Sequence, residues 1–85
     1  MSRPLNYAML KYFTTVDEAC VDDVMEALKG EYASRRAFTR DEMTSALMTA
    51  EKNGLIEESR IDLDSHDDLL VYYRATEEQK QALNS

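Results

Sequence analysis

The chain is poor in almost everything that punctuates or braces a small protein. It has one cysteine, Cys20, so neither an internal disulfide nor a multi-cysteine zinc site is available to it. Cys20 stands among small and apolar residues at the start of an expected helix. A small buried hydrophobe is the default there, and a reactive or intermolecular thiol is the alternative. The two glycines, Gly30 and Gly54, both fall where a helix should stop and form no phosphate-cradling loop. With one proline, 44% hydrophobic and 32% charged residues, the composition is that of a globule rather than a disordered tail. No Ser/His/Asp or Cys/His set has a plausible geometry, and the carboxylates lie on surface stripes where nothing desolvates a pair. The expectation is therefore no enzyme chemistry and no cofactor. No apolar run approaches the roughly 20 residues needed to cross a bilayer. The opening Met1-Ser2-Arg3-Pro4-Leu5 lacks the apolar region of a signal peptide, so a cytosolic protein with no membrane contact is expected. The 85 residues suit a single domain over 1–85 with a modest core.

Positive charge is the other shortage. Ten basic residues face 17 acidic ones, for a net charge of −7. As a whole the chain repels phosphate, which argues against an unassisted nucleic-acid binder. The deficit is uneven: residues 1–30 carry −2, 31–54 carry 0, 55–75 carry −4 and 76–85 carry −1.

What is present is regular patterning. Pro4 suits the first turn of a helix, with Ser2 or Arg3 flanking it, and Leu5, Ala8, Met9, Tyr12 and Phe13 make one apolar stripe. Thr14-Thr15-Val16-Asp17 interrupts it. A second helix is expected from about Cys20 or Val21, with Val21, Val24, Met25 and Leu28 on one face and Asp22 and Asp23 in its first turn. It ends at Gly30, or one turn later if Tyr32 continues the stripe. Residues Ala33 to Phe38 connect onward. Thr39-Arg40-Asp41-Glu42 is a capping box, and the third helix runs to Asn53 with Met43, Ala46, Leu47 and Ala50 inward, stopped by Gly54. Leu55 to Leu63 and Leu69 to Ala75 alternate as a hairpin around the polar turn Asp64-Ser65-His66-Asp67-Asp68. Thr76-Glu77-Glu78-Gln79 caps a short last helix through Leu83. A two-stranded ribbon is barely stable alone, so it must lie against the helices.

The order helix, helix, helix, strand, strand, helix is an α+β arrangement. Its tracts Glu51-Lys52-Asn53-Gly54-Leu55-Ile56, Tyr72-Tyr73-Arg74 and Thr76-Glu77-Glu78 resemble the winged helix-turn-helix superfamily, especially small PadR- and MarR-like regulators. The resemblance covers roughly residues 39–83. It implies a three-helix core, a two-stranded wing, a short C-terminal helix, homodimerisation through the first and last helices, and DNA-binding transcriptional control. Two features depart from that pattern: the wing tip is acidic rather than basic or glycine-bearing, and Gln79 stands where a glycine commonly follows.

Under that reading the third helix, about 40–53, is the reader of double-stranded DNA. Helical projection sets Asp41, Ser45, Met48 and Lys52 opposite its buried stripe, with Thr44 beside them. Ser45 and Thr44 would bond base edges, Met48 would press on a thymine methyl and Lys52 would meet a phosphate. Arg35, Arg36 and Arg40 would anchor phosphates at the helix N-terminus, or else pair with the chain's own carboxylates. The alternative function is a protein–protein interaction module whose acidic wing attracts a basic partner, with Met48 as an adaptable contact and no direct DNA binding. The acidic tract Asp62 to Asp68 with His66 lacks the glycine and the distal acid of a calcium loop, so a polar turn is expected there and no metal. Tyr7, Tyr12, Phe13, Leu70, Tyr72 and Leu83 supply core side chains, with some left over for a dimer seam.

Overall fold

Local capping chemistry sets where the elements begin and end. The computed structural model describes residues 3–85 and has the order α1 (Leu5–Tyr12), α2 (Val21–Tyr32), α3 (Arg40–Lys52), β1 (Glu57–Leu63), β2 (Leu69–Arg74) and α4 (Glu77–Asn84). The chain is thus α+β, with four helices and one antiparallel hairpin. Pro4 sits one position earlier than expected, as the extended residue before α1 (φ −55°, ψ 143°) rather than its first helical residue. Ser2, the other proposed flanking residue, lies outside the described residues.

α2 opens on Cys20, where the Asp23 carboxylate accepts the Cys20 N–H at 3.1 Å and the thiol at 3.4 Å. Its helix passes through Gly30 and ends at Tyr32, whose ring is buried and whose hydroxyl donates to the Arg3 carbonyl. The anchored aromatic offsets the cost of a mid-helix glycine, about 1 kcal/mol relative to alanine. At the head of α3 the Thr39 hydroxyl accepts from Glu42 N at 3.2 Å, but Glu42 does not reach back, so only half of the expected capping box forms. At its foot Gly54 takes φ 77°, and Leu55 N and Gly54 N donate to Ala50 O and Glu51 O, each at 3.0 Å. This paired helix stop uses up Leu55, which is why β1 starts at Glu57 rather than at 55. Gln79 completes the cap of α4 by accepting from Thr76 N at 2.8 Å, and its amide also donates to Gly54 O at 3.0 Å. The Gln79 side chain thereby ties α4 to the end of α3.

α2 packs against α1 and α3, and α1 also meets α4. Met9, Phe13, Val24, Met43, Leu47 and Ile56 are nearly inaccessible and form the centre of one core, joined by Ala19, Val21, Ala50, Tyr73 and Ala75. The hairpin reaches that core only at its base. Ala19 forms an isolated bridge with Tyr73 across the far edge of β2, with Ala19 N to Tyr73 O at 2.9 Å and Tyr73 N to Ala19 O at 2.8 Å. Glu18, just before it, accepts from Ser59 Oγ and Arg60 Nε, both at 2.8 Å. The ribbon is therefore held by backbone and side chains of the α1–α2 connection, which the sequence pattern did not indicate.

The expected alternation along β1 is broken. Glu57 pairs with Arg74 and Glu58 with Tyr73, but a bulge at Ser59 makes Arg60 the partner of Tyr72, followed by Ile61 with Val71 and Leu63 with Leu69. Paired residues share a face. The extra residue thus inverts the phase: Ile56 and Glu58 lie on the inner face, and beyond the bulge Ile61 and Leu63 do so.

Candidate functional site

The outward face of α3 is where projection placed it. Asp41, Ser45, Met48 and Lys52 are exposed and Thr44 is half-buried. The inner face of the hairpin runs alongside. At its base, Ser45, Met48, Thr49, Glu51, Lys52, Glu58, Val71 and Tyr73 line an open depression of about 480 Å³. Toward the hairpin tip a narrower one of about 110 Å³ takes in Arg40, Thr44, Leu47, Met48, Leu69 and Val71. Met48, Val71 and Tyr73 belong to both, so the two make one groove along α3.

Its lining includes exposed apolar side chains, Met48 at 58% and Leu69 at 71%, and the strand pairing sets Leu63 at 56% and Ile61 at 53% on the same hairpin face. Exposed apolar side chains are ordinary when scattered, but these four share one helix face and one hairpin face.

The charges around the groove are mostly matched or negative. Arg40 does not stand free over the head of α3: its Nε donates to Asp22 Oδ1 at 3.1 Å and its Nη2 to Asp22 Oδ2 at 3.4 Å. The Asp22 hydrogen bond, then its charge and that of Asp64 in the hairpin turn, push the Arg40 guanidinium pKa up. Arg35 lies in the α2–α3 connector with its guanidinium 5.3 Å from the Tyr32 ring centre. Arg36 is exposed in the same connector. At the other end, Glu51, Lys52 and Glu58 line the basal depression, where burial and then the charges of Glu58 and Glu51 raise the Tyr73 hydroxyl pKa. The seven residues nominated for DNA contact therefore do not form one cationic ledge. Ser45, Met48 and Lys52 come together with Thr44 and Arg40 along the groove, while Arg35 and Arg36 sit in the connector outside its lining.

The hairpin tip has its own logic. The Asp64 carboxylate accepts from His66 N at 2.8 Å and Asp68 N at 3.0 Å, and Asp67 takes φ 62°, a conformation short polar residues tolerate. Arg60, on the outer face, stacks 3.9 Å from the Tyr72 ring centre and meets Glu18 at 2.8 Å and Asp62 at 2.9 Å. Sequence reasoning missed Arg60 as the clamp of the hairpin because its partner Glu18 lies 42 positions away. Among the described residues no group of three or more His, Cys, Asp or Glu is placed to hold a metal ion, and no helix is long and apolar enough to cross a membrane. No family model, curated protein or solved structure matches the chain.

Proposed function

We propose that the chain is a winged helix-turn-helix module and that its α3–hairpin face recognises another protein rather than duplex DNA. The helix order, the capped and outward-facing α3, and a hairpin pinned at its base by Ala19 support the winged-helix arrangement. One observation carries the choice of partner. Among the described residues, four of the six large exposed apolar side chains lie on this face, while the arginine at the head of α3 is held by Asp22. A duplex offers phosphates to that surface, which gain nothing from leucine side chains and are repelled by the hairpin's carboxylates.

DNA-binding transcriptional regulation is the second reading. It is favoured by the exposed Ser45 and Lys52 on α3 and by Arg36 in the connector. A homodimer belongs with it, since two copies double the phosphate contacts. Tyr7 is 45% exposed on α1 and Leu83 is half-buried on α4, whereas Phe13 is fully in the core and unavailable to a seam.

A salt-titrated anisotropy measurement on mixed-sequence duplex separates the readings. The protein-recognition reading expects a folded chain with no duplex binding at low salt. Binding that is steeply salt-dependent and lost in Arg35→Ala/Arg36→Ala would establish the regulator instead. Sedimentation as a monomer at tens of micromolar would remove the dimer.

A further inference from the structure

We propose that the groove between α3 and the hairpin seats a basic amphipathic helix of a partner protein, an assignment that rests on the protein-recognition reading above. α3 has 13 residues, so it walls a groove about 20 Å long, matching three to four turns of a second helix. Met48, Leu69 and Val71 present apolar contacts along that length, and Leu63 shares the hairpin face with Leu69 through the strand pairing. A helix brings its own backbone hydrogen bonds already made. An extended segment would need unpaired backbone groups, and the groove is walled by a helix and by the face, not the edge, of a sheet.

Charge selects among possible occupants. Glu51 and Glu58 flank the base of the groove, where Lys52 is the single counter-charge. At the tip the positive charge of Arg40 is met by Asp22 and Asp64. The segment 55–75 carries −4 in all. A second copy of this chain laid into the groove by its own apolar hairpin would bring two such acidic ribbons together, which like-charge repulsion opposes. Nucleic acid meets the same carboxylates and leaves the leucines in water. A segment with leucine-like anchors on one face and lysine or arginine on the other satisfies both the floor and the rim.

The probe is a pair of synthetic helical peptides with the same leucine stripe, one bearing lysines and the other glutamates on the polar face. Calorimetry should show binding of the lysine peptide alone, weakening as salt rises. Binding should fall at least tenfold in Leu69→Asp and in Met48→Asp, which alter exposed side chains on opposite walls, and should not change in Tyr7→Ser on α1. Equal binding of both peptides, still lost in Leu69→Asp, overturns the basic partner but leaves protein docking on this face. Binding untouched by both groove variants overturns the groove. Self-association of the chain abolished by Leu69→Asp makes the second copy the occupant and overturns the proposal. Failure of both peptides overturns the basic helix alone if duplex also fails to bind, and overturns the underlying reading as well if duplex binds at low salt.

Discussion

Tyr72 and Tyr73 are neighbours in sequence and opposites in environment, and replacing each by alanine tests the strand register directly. Tyr73 is 6% exposed, carries the Ala19 bridge through its backbone and lines the groove floor. Truncating a buried aromatic costs about 3–5 kcal/mol, the sum of lost transfer energy and the cavity left behind. A domain of 85 residues has a total stability of roughly 4–13 kcal/mol, so Tyr73→Ala should leave it marginal or unfolded. Tyr72 points to the outer face, half-buried beneath the Arg60 guanidinium at 3.9 Å. A cation–π contact at such a site is worth about 0.5–1 kcal/mol, and the part-buried ring adds a comparable amount, so Tyr72→Ala should cost about 1–2 kcal/mol. The two costs should differ by at least about 1 kcal/mol, roughly a fivefold change in the unfolding equilibrium. Urea unfolding followed by far-ultraviolet circular dichroism measures both, with the slopes compared to confirm that the denatured state is unchanged. Leu69→Ala, at 71% exposure, serves as the control and should fall within about 0.5 kcal/mol of the parent. Equal costs for the two tyrosines, or a larger one for Tyr72, would mean that β2 is set one residue out of the register described, and the groove would go with it.

Three further outcomes follow from the caps, the thiol and the hairpin clamp. Thr39→Ala should cost about 1 kcal/mol in the same assay, and Thr76→Ala at least as much, because Gln79 reciprocates its bond; no effect in either would mean the caps are not formed in solution. Cys20 is buried and its thiol pKa is raised chiefly by that burial, so a thiol reagent at neutral pH should modify it slowly in the native protein and promptly in urea; equal rates would refute its placement. Hydrogen bonds from Ser59 and Arg60 hold the Glu18 carboxyl below its ordinary 4.5 in the folded chain. Its contribution is therefore fully present above that value and is lost as pH falls through the lower folded value. The stability difference between the parent and Glu18→Gln should stay constant from pH 7 to about 5 and close in more acidic solution; a gap that widens on acidification would contradict the clamp.

The elements were legible in the sequence wherever their cause is local. Thr39 with Glu42, Thr76 with Gln79, and Asn53-Gly54 act within a turn of where they stand, and the helices begin and end within a residue or two of the expected positions. Gly30, expected as the stop of α2, is not one: the helix runs on to Tyr32, the further turn that its stripe had left open, because burial of a whole aromatic exceeds the entropy cost of one glycine. The hairpin was legible in extent but not in phase. An alternating pattern cannot reveal a bulge when both faces of the distal strand are exposed, and Ser59 is a residue tolerated on either. The Ala19 bridge left no trace either, since one residue pairing with a strand carries no periodicity at all.

The candidate site was less legible because its electrostatics are long-range. Arg35, Arg36 and Arg40 cluster in sequence, yet what decides their field lies elsewhere: Asp22 is 18 positions before Arg40, and Asp64 comes from the hairpin turn. The overall composition bears on the pairing of these cations. With 17 carboxylates for ten cations, a basic side chain placed anywhere on so small a surface is more apt to meet an acid than to remain alone. Lys29, Arg40, Arg60, Arg74 and Lys80 all do so, and Arg3, Lys11 and Arg35 lie against tyrosine rings. Exposed pairs of this kind add little to stability, about 0–1 kcal/mol each. Their effect is on the outer field, where each pair removes a positive charge that a phosphate backbone would need and leaves the surplus carboxylates on the hairpin unopposed. With five of its ten cations paired to acids among the described residues, the acidic surplus opposes polyanions, and around an apolar groove it would favour the cationic, amphipathic partner proposed above.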